Sequence, residues 1–279
     1  MIKKGLFGMV AASLIWSCNS TPPQAEQEAD NMEPEEVVEE APDRNVPETY
    51  EEAGLKIYPA PASPTYEGAN LSLIKPENGG NTAEGAVAFE FGVENYELGA
   101  QTSDAEGKGL ANSGKGQHIH LIVDNSPYSA HYMPGLEKEF EAGNHYAIAF
   151  LSRSYHESVK SEGAAQVFQF SVGETTDEAY DLTQPMLFYS RPKGEYTGTD
   201  TEKVLFDFYL HNVTLSENGM HVKLTVNGTS SFEFDTWQPY VIEGLPAGEN
   251  TFDISLLDAE GNEVNMDINS TSRTFTLTP

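Results

Sequence analysis

The chain is short of cysteine: among 279 residues there is one, Cys18. A single thiol excludes an intrachain disulfide, a paired-cysteine redox site and a thiolate metal cluster. Basic residues are scarce as well, with 15 Lys and Arg against 44 Asp and Glu and a formal charge of −29. That balance argues against nucleic acid and anionic headgroups as partners of the folded part, since both need basic patches. Beyond Cys18 no apolar run is long enough to cross a bilayer, and no stretch carries a convincing helical period. Catalytic signatures are missing too: there is no G-x-S-x-G elbow, no H-E-x-x-H and no phosphate-cradling loop. Ser154, His156 and Glu157 are close in sequence, but a hairpin turn offers neither an oriented base nor an oxyanion hole. The expectation is a protein that is not an enzyme.

What is present begins with a three-part N-terminus. Lys3 and Lys4 precede an apolar stretch from Gly5 to Trp16, which is too short for a mature span and ends at Ser17-Cys18. Ile15 and Ser17 before a lone Cys18 resemble the lipobox of bacterial lipoproteins, with Trp16 larger than that slot usually takes. The resemblance implies a signal peptide over residues 1–17 and lipidation of Cys18. Several acyl chains on one residue give stable membrane attachment. From Asn19 to Ala60, twelve acidic residues face only Arg44 and Lys56, with prolines throughout. Such a segment buries too little to offset its chain entropy, so residues 18–66 are expected to form a disordered acidic tether. The acidic run after Cys18 also resembles the export signal of surface lipoproteins in Bacteroidetes-type bacteria. The expected location is the cell envelope, at the outer membrane.

The rest of the chain repeats itself. Val87, Phe89, Phe91 and Asn95 match Val204, Phe206, Phe208 and Asn212. Gly116 to Val123 matches Gly219 to Val226, Ala142-Gly143 matches Ala247-Gly248, and Phe170-Ser-Val172 matches Phe275-Thr-Leu277. The offsets change only at turns; the first copy alone carries a Gly-rich loop from Gly99 to Gly116. Short alternating segments bounded by Gly, Asn, Asp and Pro read as antiparallel strands. The fold expected is all-β: two tandem antiparallel Ig-like β-sandwiches, residues 67–174 and 184–279, behind the signal peptide and linker. AGNHYAIAFLSRSYHESV and PAGENTFDISLLDAEGNEV resemble the strand–turn–strand of bacterial immunoglobulin-like and fibronectin-type modules. The fold by itself gives no function.

Five of the seven histidines fall in the first copy: His118, His120, His131, His145 and His156. Val222, Leu224 and Val226 in the second copy mark Ile119, Leu121 and Val123 as core, which places His118 and His120 together on the outer face. His145 and His156 are candidate further ligands, and imidazole donors suit Cu or Zn. The first copy also loosely resembles small histidine-bearing periplasmic sandwich domains of unknown function. Against a metal, His221 stands where His118 does while Lys223 and Asn250 replace His120 and His145, which favours a structural role. A second anomaly lies on the strand from His145 to Leu151. Matching it to Phe252, Ile254 and Leu256 puts Ala147, Ala149 and Leu151 inside and leaves Tyr146, Ile148 and Phe150 outside. That row is either a contact surface or the product of a one-residue slip. If it is a surface, it seats the second sandwich, a partner or a ligand. Trp237 and Tyr240 form a similar candidate patch.

The leading expectation is a non-catalytic envelope lipoprotein that presents two Ig-like modules to a protein or glycan. The alternative is a Cu- or Zn-binding lipoprotein using the histidines of the first copy. His118 and His120 within about 4 Å of each other and of a third donor would separate the two.

Overall fold

The computed structural model describes residues 49–176 and 178–279. The expected signal peptide, Cys18 and most of the expected tether lie outside the described residues. No helix among the described residues is long and apolar enough to cross a membrane.

The described chain opens with a hairpin, β1 (Tyr50–Glu52) and β2 (Leu55–Pro59). The first copy follows as β3 (Asn70–Lys75), β4 (Gly80–Thr82), β5 (Ala86–Glu94), β6 (His118–Val123), β7 (Ser129–His131), β8 (Gly135–Glu139), β9 (Gly143–Ser152) and β10 (Ala165–Val172). The second copy repeats the order as β11 (Met186–Arg191), β12 (Gly194–Thr197), β13 (Val204–His211), β14 (His221–Val226), β15 (Ser230–Phe234), β16 (Tyr240–Glu243), β17 (Gly248–Leu257) and β18 (Ser270–Thr278). In the first copy the sheets are β3-β5-β8 and β4-β10-β9-β6-β7; in the second, β11-β13-β16 and β12-β18-β17-β14-β15. Neighbours pair antiparallel, except that β4 and β12 run parallel to β10 and β18. The described residues are all-β and fold as two equivalent sandwiches.

Each core is built by alternation. Val87, Phe89 and Phe91 on β5 meet Ile119, Leu121, Val123, Ala147, Ala149, Leu151, Phe168 and Phe170 from the facing sheet. In the second copy Phe206 and Phe208 meet Val222, Leu224, Phe252, Ile254 and Phe275 in the same layout. Four phenylalanines already crowd the first core, and β9 meets them with Ala147, Ala149 and Leu151 on its inner face, while Tyr146, Ile148 and Phe150 point the other way.

Two expectations about boundaries and surfaces are corrected. The tether does not reach residue 66: β2 pairs with β16, and Leu55 and Ile57 are buried in the second core. The partner strand of this hairpin lies almost two hundred residues downstream, a pairing that local composition does not encode. The row Tyr146, Ile148 and Phe150 does point out of its own sandwich, but it is not exposed. It packs with Ile122, Tyr128, Met186, Phe188 and Tyr209 in a core between the sandwiches. Phe150 stacks on Tyr209 at 5.1 Å and Tyr146 meets Phe188 at 6.0 Å. Full burial of side chains this size stabilises by roughly 1.5–3 kcal/mol each. Polar contacts fix the seam: Ser158 N donates to Asp207 Oδ2 at 3.0 Å, and Lys160 pairs with the same fully buried carboxylate. Trp237 and Tyr240 are likewise packing residues. Trp237 Nε1 donates to Phe208 O at 3.0 Å beside Tyr209, and Tyr240 lies in the second core against Phe234.

Candidate functional site

At the edge of this seam three imidazoles converge. His118 and His120 stand at alternate positions on the outer face of β6. The face that would meet solvent in an isolated sandwich is covered here, and both rings are fully buried. His156 comes from the turn after β9. Its backbone is left-handed, φ 68°, a conformation uncommon for any residue other than glycine. The turn is held closed by His156 N donating to Arg153 O, Arg153 N donating to Glu157 O, both at 2.9 Å, and the Arg153–Glu157 ion pair at 3.0 Å.

The Gly-rich loop of the first copy braces the same turn. Thr102 N donates to Ser154 Oγ, Ser154 N to Thr102 Oγ1, and Ser113 N to Ser154 O, at 3.2, 2.9 and 2.8 Å. The loop closes at Gly116, φ 85°, where an added Cβ would sit 2.3 Å from Gly99 O. Glycine is required there, and the glycines serve close packing.

The ring nitrogens lie at hydrogen-bond distance. His118 Nε2 is 2.8 Å from His120 Nε2 and 3.1 Å from His156 Nδ1, and the last two are 3.5 Å apart. Nδ1 of His118 lies 2.8 Å from Gly116 O, which accepts its proton and leaves a lone pair on Nε2 facing the other rings. Nδ1 of His120 is 3.5 Å from Ser190 Oγ on β11, and its ring stacks on Tyr128 at 3.6 Å. Tyr128 OH is 3.3 Å from His156 Nδ1.

This environment keeps the rings neutral. Burial pushes His118 down from 6.5 to about 4, more than the Gly116 carbonyl restores. Burial also holds His120 and His156 well below the usual range; the neighbouring histidines and the Arg191 and Lys193 cations act in the same direction. Neutral imidazole is the metal-binding form. Three nitrogens about 2.0–2.1 Å from a tetrahedral Zn ion stand about 3.3 Å from one another, the range seen here. No carboxylate or thiolate belongs to the trio, so the donor set suits Zn or Cu and not the oxygen-seeking Mg or Ca.

His145, a fourth candidate ligand, lies apart and is corrected. Its Nδ1 pairs with Asp124 Oδ2 at 2.6 Å and its Nε2 lies 3.0 Å from Glu141 O, so both nitrogens are engaged. The second copy builds the same corner without histidine. Asn250 binds Asn227 at 2.9 Å and Pro246 O at 2.8 Å, while Asp124 and Asn227 accept from the backbone of Tyr146 and Thr251. His145 therefore holds a strand corner common to both copies. The residues that sequence reasoning missed are Tyr128, Ser190, Arg191 and Lys193. Arg191 and Lys193 flank Pro192 in a chain poor in basic residues, the one signal that could have drawn attention to them.

Comparison with known proteins finds no matching family model and no matching curated protein. Among solved structures, the fibronectin(III)-like modules of Clostridium thermocellum CbhA are similar at 13% identity, covering 75% of this chain and 93% of that one, with a TM-score of 0.25. The Bacteroides ovatus mixed-linkage glucan utilization locus protein SGBP-B, solved with a mixed-linkage heptasaccharide, is similar at 11% identity, covering 75% of this chain and 47% of that one, with a TM-score of 0.22. Likeness at this level assigns no ligand to the chain, whose fold class rests on its own strand order.

Proposed function

We propose that this chain is a lipid-anchored protein of the cell envelope that binds one Cu or Zn ion through His118, His120 and His156, in a binding role and not a catalytic one. The observation that carries the reading is the set of three ring nitrogens, all within 4.8 Å of one another, drawn from two separate segments. Its support is threefold. The rings are neutral through burial, the Gly116 carbonyl orients one of them, and a strained turn is braced to deliver the third. The wider expectation of modules displayed to a protein or glycan loses its main surface, because Tyr146, Ile148 and Phe150 seat the second sandwich. Lipidation at Cys18 remains the anchor implied by the lipobox resemblance.

The test is a calorimetric titration of the purified full-length chain with Cu(II) and then Zn(II), beside the His118→Ala/His120→Ala double variant. The reading expects one-to-one binding at micromolar or tighter concentration, weakened at least about a hundredfold in the variant. Weak binding that the substitutions leave untouched would reduce the trio to a hydrogen-bonded structural cluster.

A further inference from the structure

Arg191 and Lys193, beside the three histidines, make no ion pair among the described residues. Arg191 is only 5% exposed; its Nη1 donates to Tyr128 OH at 3.0 Å and to Lys193 O at 3.4 Å, and its Nε has no partner. Lys193 Nζ donates to Tyr128 O at 2.5 Å and lies over the Tyr128 ring at 4.3 Å. Buried Arg273 binds the Tyr189 and Asn125 carbonyls at 3.0 Å. Ion pairs among the described residues engage Lys56, Lys75, Lys108, Arg153, Lys160 and Lys203, but not these three. A buried guanidinium without a paired carboxylate is costly, and none of the described acidic residues forms an ion pair with Arg191.

Arg191 and Lys193 also oppose a bare divalent ion, because their charges add to its own. A metal held here by three neutral donors gains from a negatively charged fourth ligand. The phenol oxygen of Tyr128, 3.0 Å from Arg191 Nη1 and 3.3 Å from His156 Nδ1, links the cation to the trio, so an anion reaching both would take its place or bind beside it. His156, Tyr132 and Lys193 are half-buried, which leaves an approach on that side. Lys115 lies over the Tyr132 ring at 5.4 Å.

We infer that the seam takes, with its metal ion, a small oxygen anion of the carboxylate or phosphate class, neutralised by Arg191 and Lys193. This rests on the three-histidine metal reading and deepens it. It is tested on the Cu(II)-loaded full-length chain in a non-coordinating buffer, titrated separately with acetate and phosphate and followed by electron paramagnetic resonance and visible absorption. The expected result is a saturable change in the copper spectrum with at least one of the two, the responding anion naming the class. Lys193→Gln, at a half-buried position, should weaken that anion by about tenfold while anion-free copper affinity holds or rises. Arg191→Met should weaken it further, with circular dichroism confirming the fold. A copper spectrum indifferent to both anions, or an anion response indifferent to both substitutions, overturns this inference and leaves the metal reading standing. Failure of copper to bind through the histidines overturns both.

Discussion

Three imidazoles packed within hydrogen-bond distance of one another cannot all carry protons, and the fold is built on their neutrality. His118 is lowered from 6.5 to about 4 by burial, and burial also lowers His120 and His156 well below 6.5. A histidine whose folded value lies below its unfolded value contributes full stability above the unfolded value and loses it as the pH falls. The window therefore opens near pH 6.5 and extends to about pH 4 for His118, where the loss amounts to roughly 3 kcal/mol. Denaturant unfolding of the metal-free chain at pH 8, 6 and 5 should show stability falling steeply below pH 6.5. The His118→Ala/His120→Ala variant should flatten that slope, and a wild-type chain equally stable at pH 8 and pH 5 would contradict it. At this scale strand alternation revealed part of the site, since residues i and i+2 share a face and place His118 beside His120. His156 could not be fixed that way, because its direction depends on a left-handed residue in a turn braced by a loop more than forty residues upstream. His145 misled because a buried histidine capping a strand corner has the same one-letter signature as a ligand.

The decisive element is β9, which carries two apolar faces. Its inner face reads Ala147, Ala149 and Leu151, and its outer face Tyr146, Ile148 and Phe150. The equivalent strand β17 has Thr251, Asp253 and Ser255 on its outer face, so the second copy is polar where the first is apolar. Ile148 is thus the position where the second copy tolerates Asp253. Ile148→Asp should leave the two sandwich cores intact while placing an unpaired carboxylate in the seam, at a cost of several kcal/mol. Calorimetric melting should then resolve two transitions where the wild type shows one; a single transition at the wild-type temperature would refute the seam as a stabilising core. The repeat made the strand order and both inner cores readable, because alternation and turn residues are local signals. The β1–β2 hairpin was not readable: Leu55, Ile57 and Tyr58 sit among acidic residues and prolines, and their partner strand β16 is remote in sequence.

At the scale of the whole molecule, a strongly acidic composition contrasts with a seam where Arg191 and Lys193 adjoin neutral histidines. Composition alone showed the acidity, but not that Lys160, Arg191, Lys193 and Arg273 lie where the two sandwiches meet. Duplication supplied both halves of that meeting place. The first copy gives the imidazoles, and the second gives Ser190, Arg191 and the apolar floor of Met186 and Phe188. A metal site placed there would tie its affinity to the integrity of the seam. The most direct test is X-ray absorption at the metal edge of the full-length chain loaded with one equivalent of Zn(II). The account predicts three imidazole nitrogens at about 2.0–2.1 Å with a lighter oxygen contribution, and loss of one imidazole in His156→Asn. A shell of carboxylate oxygens, or a signal unchanged by that substitution, would contradict it.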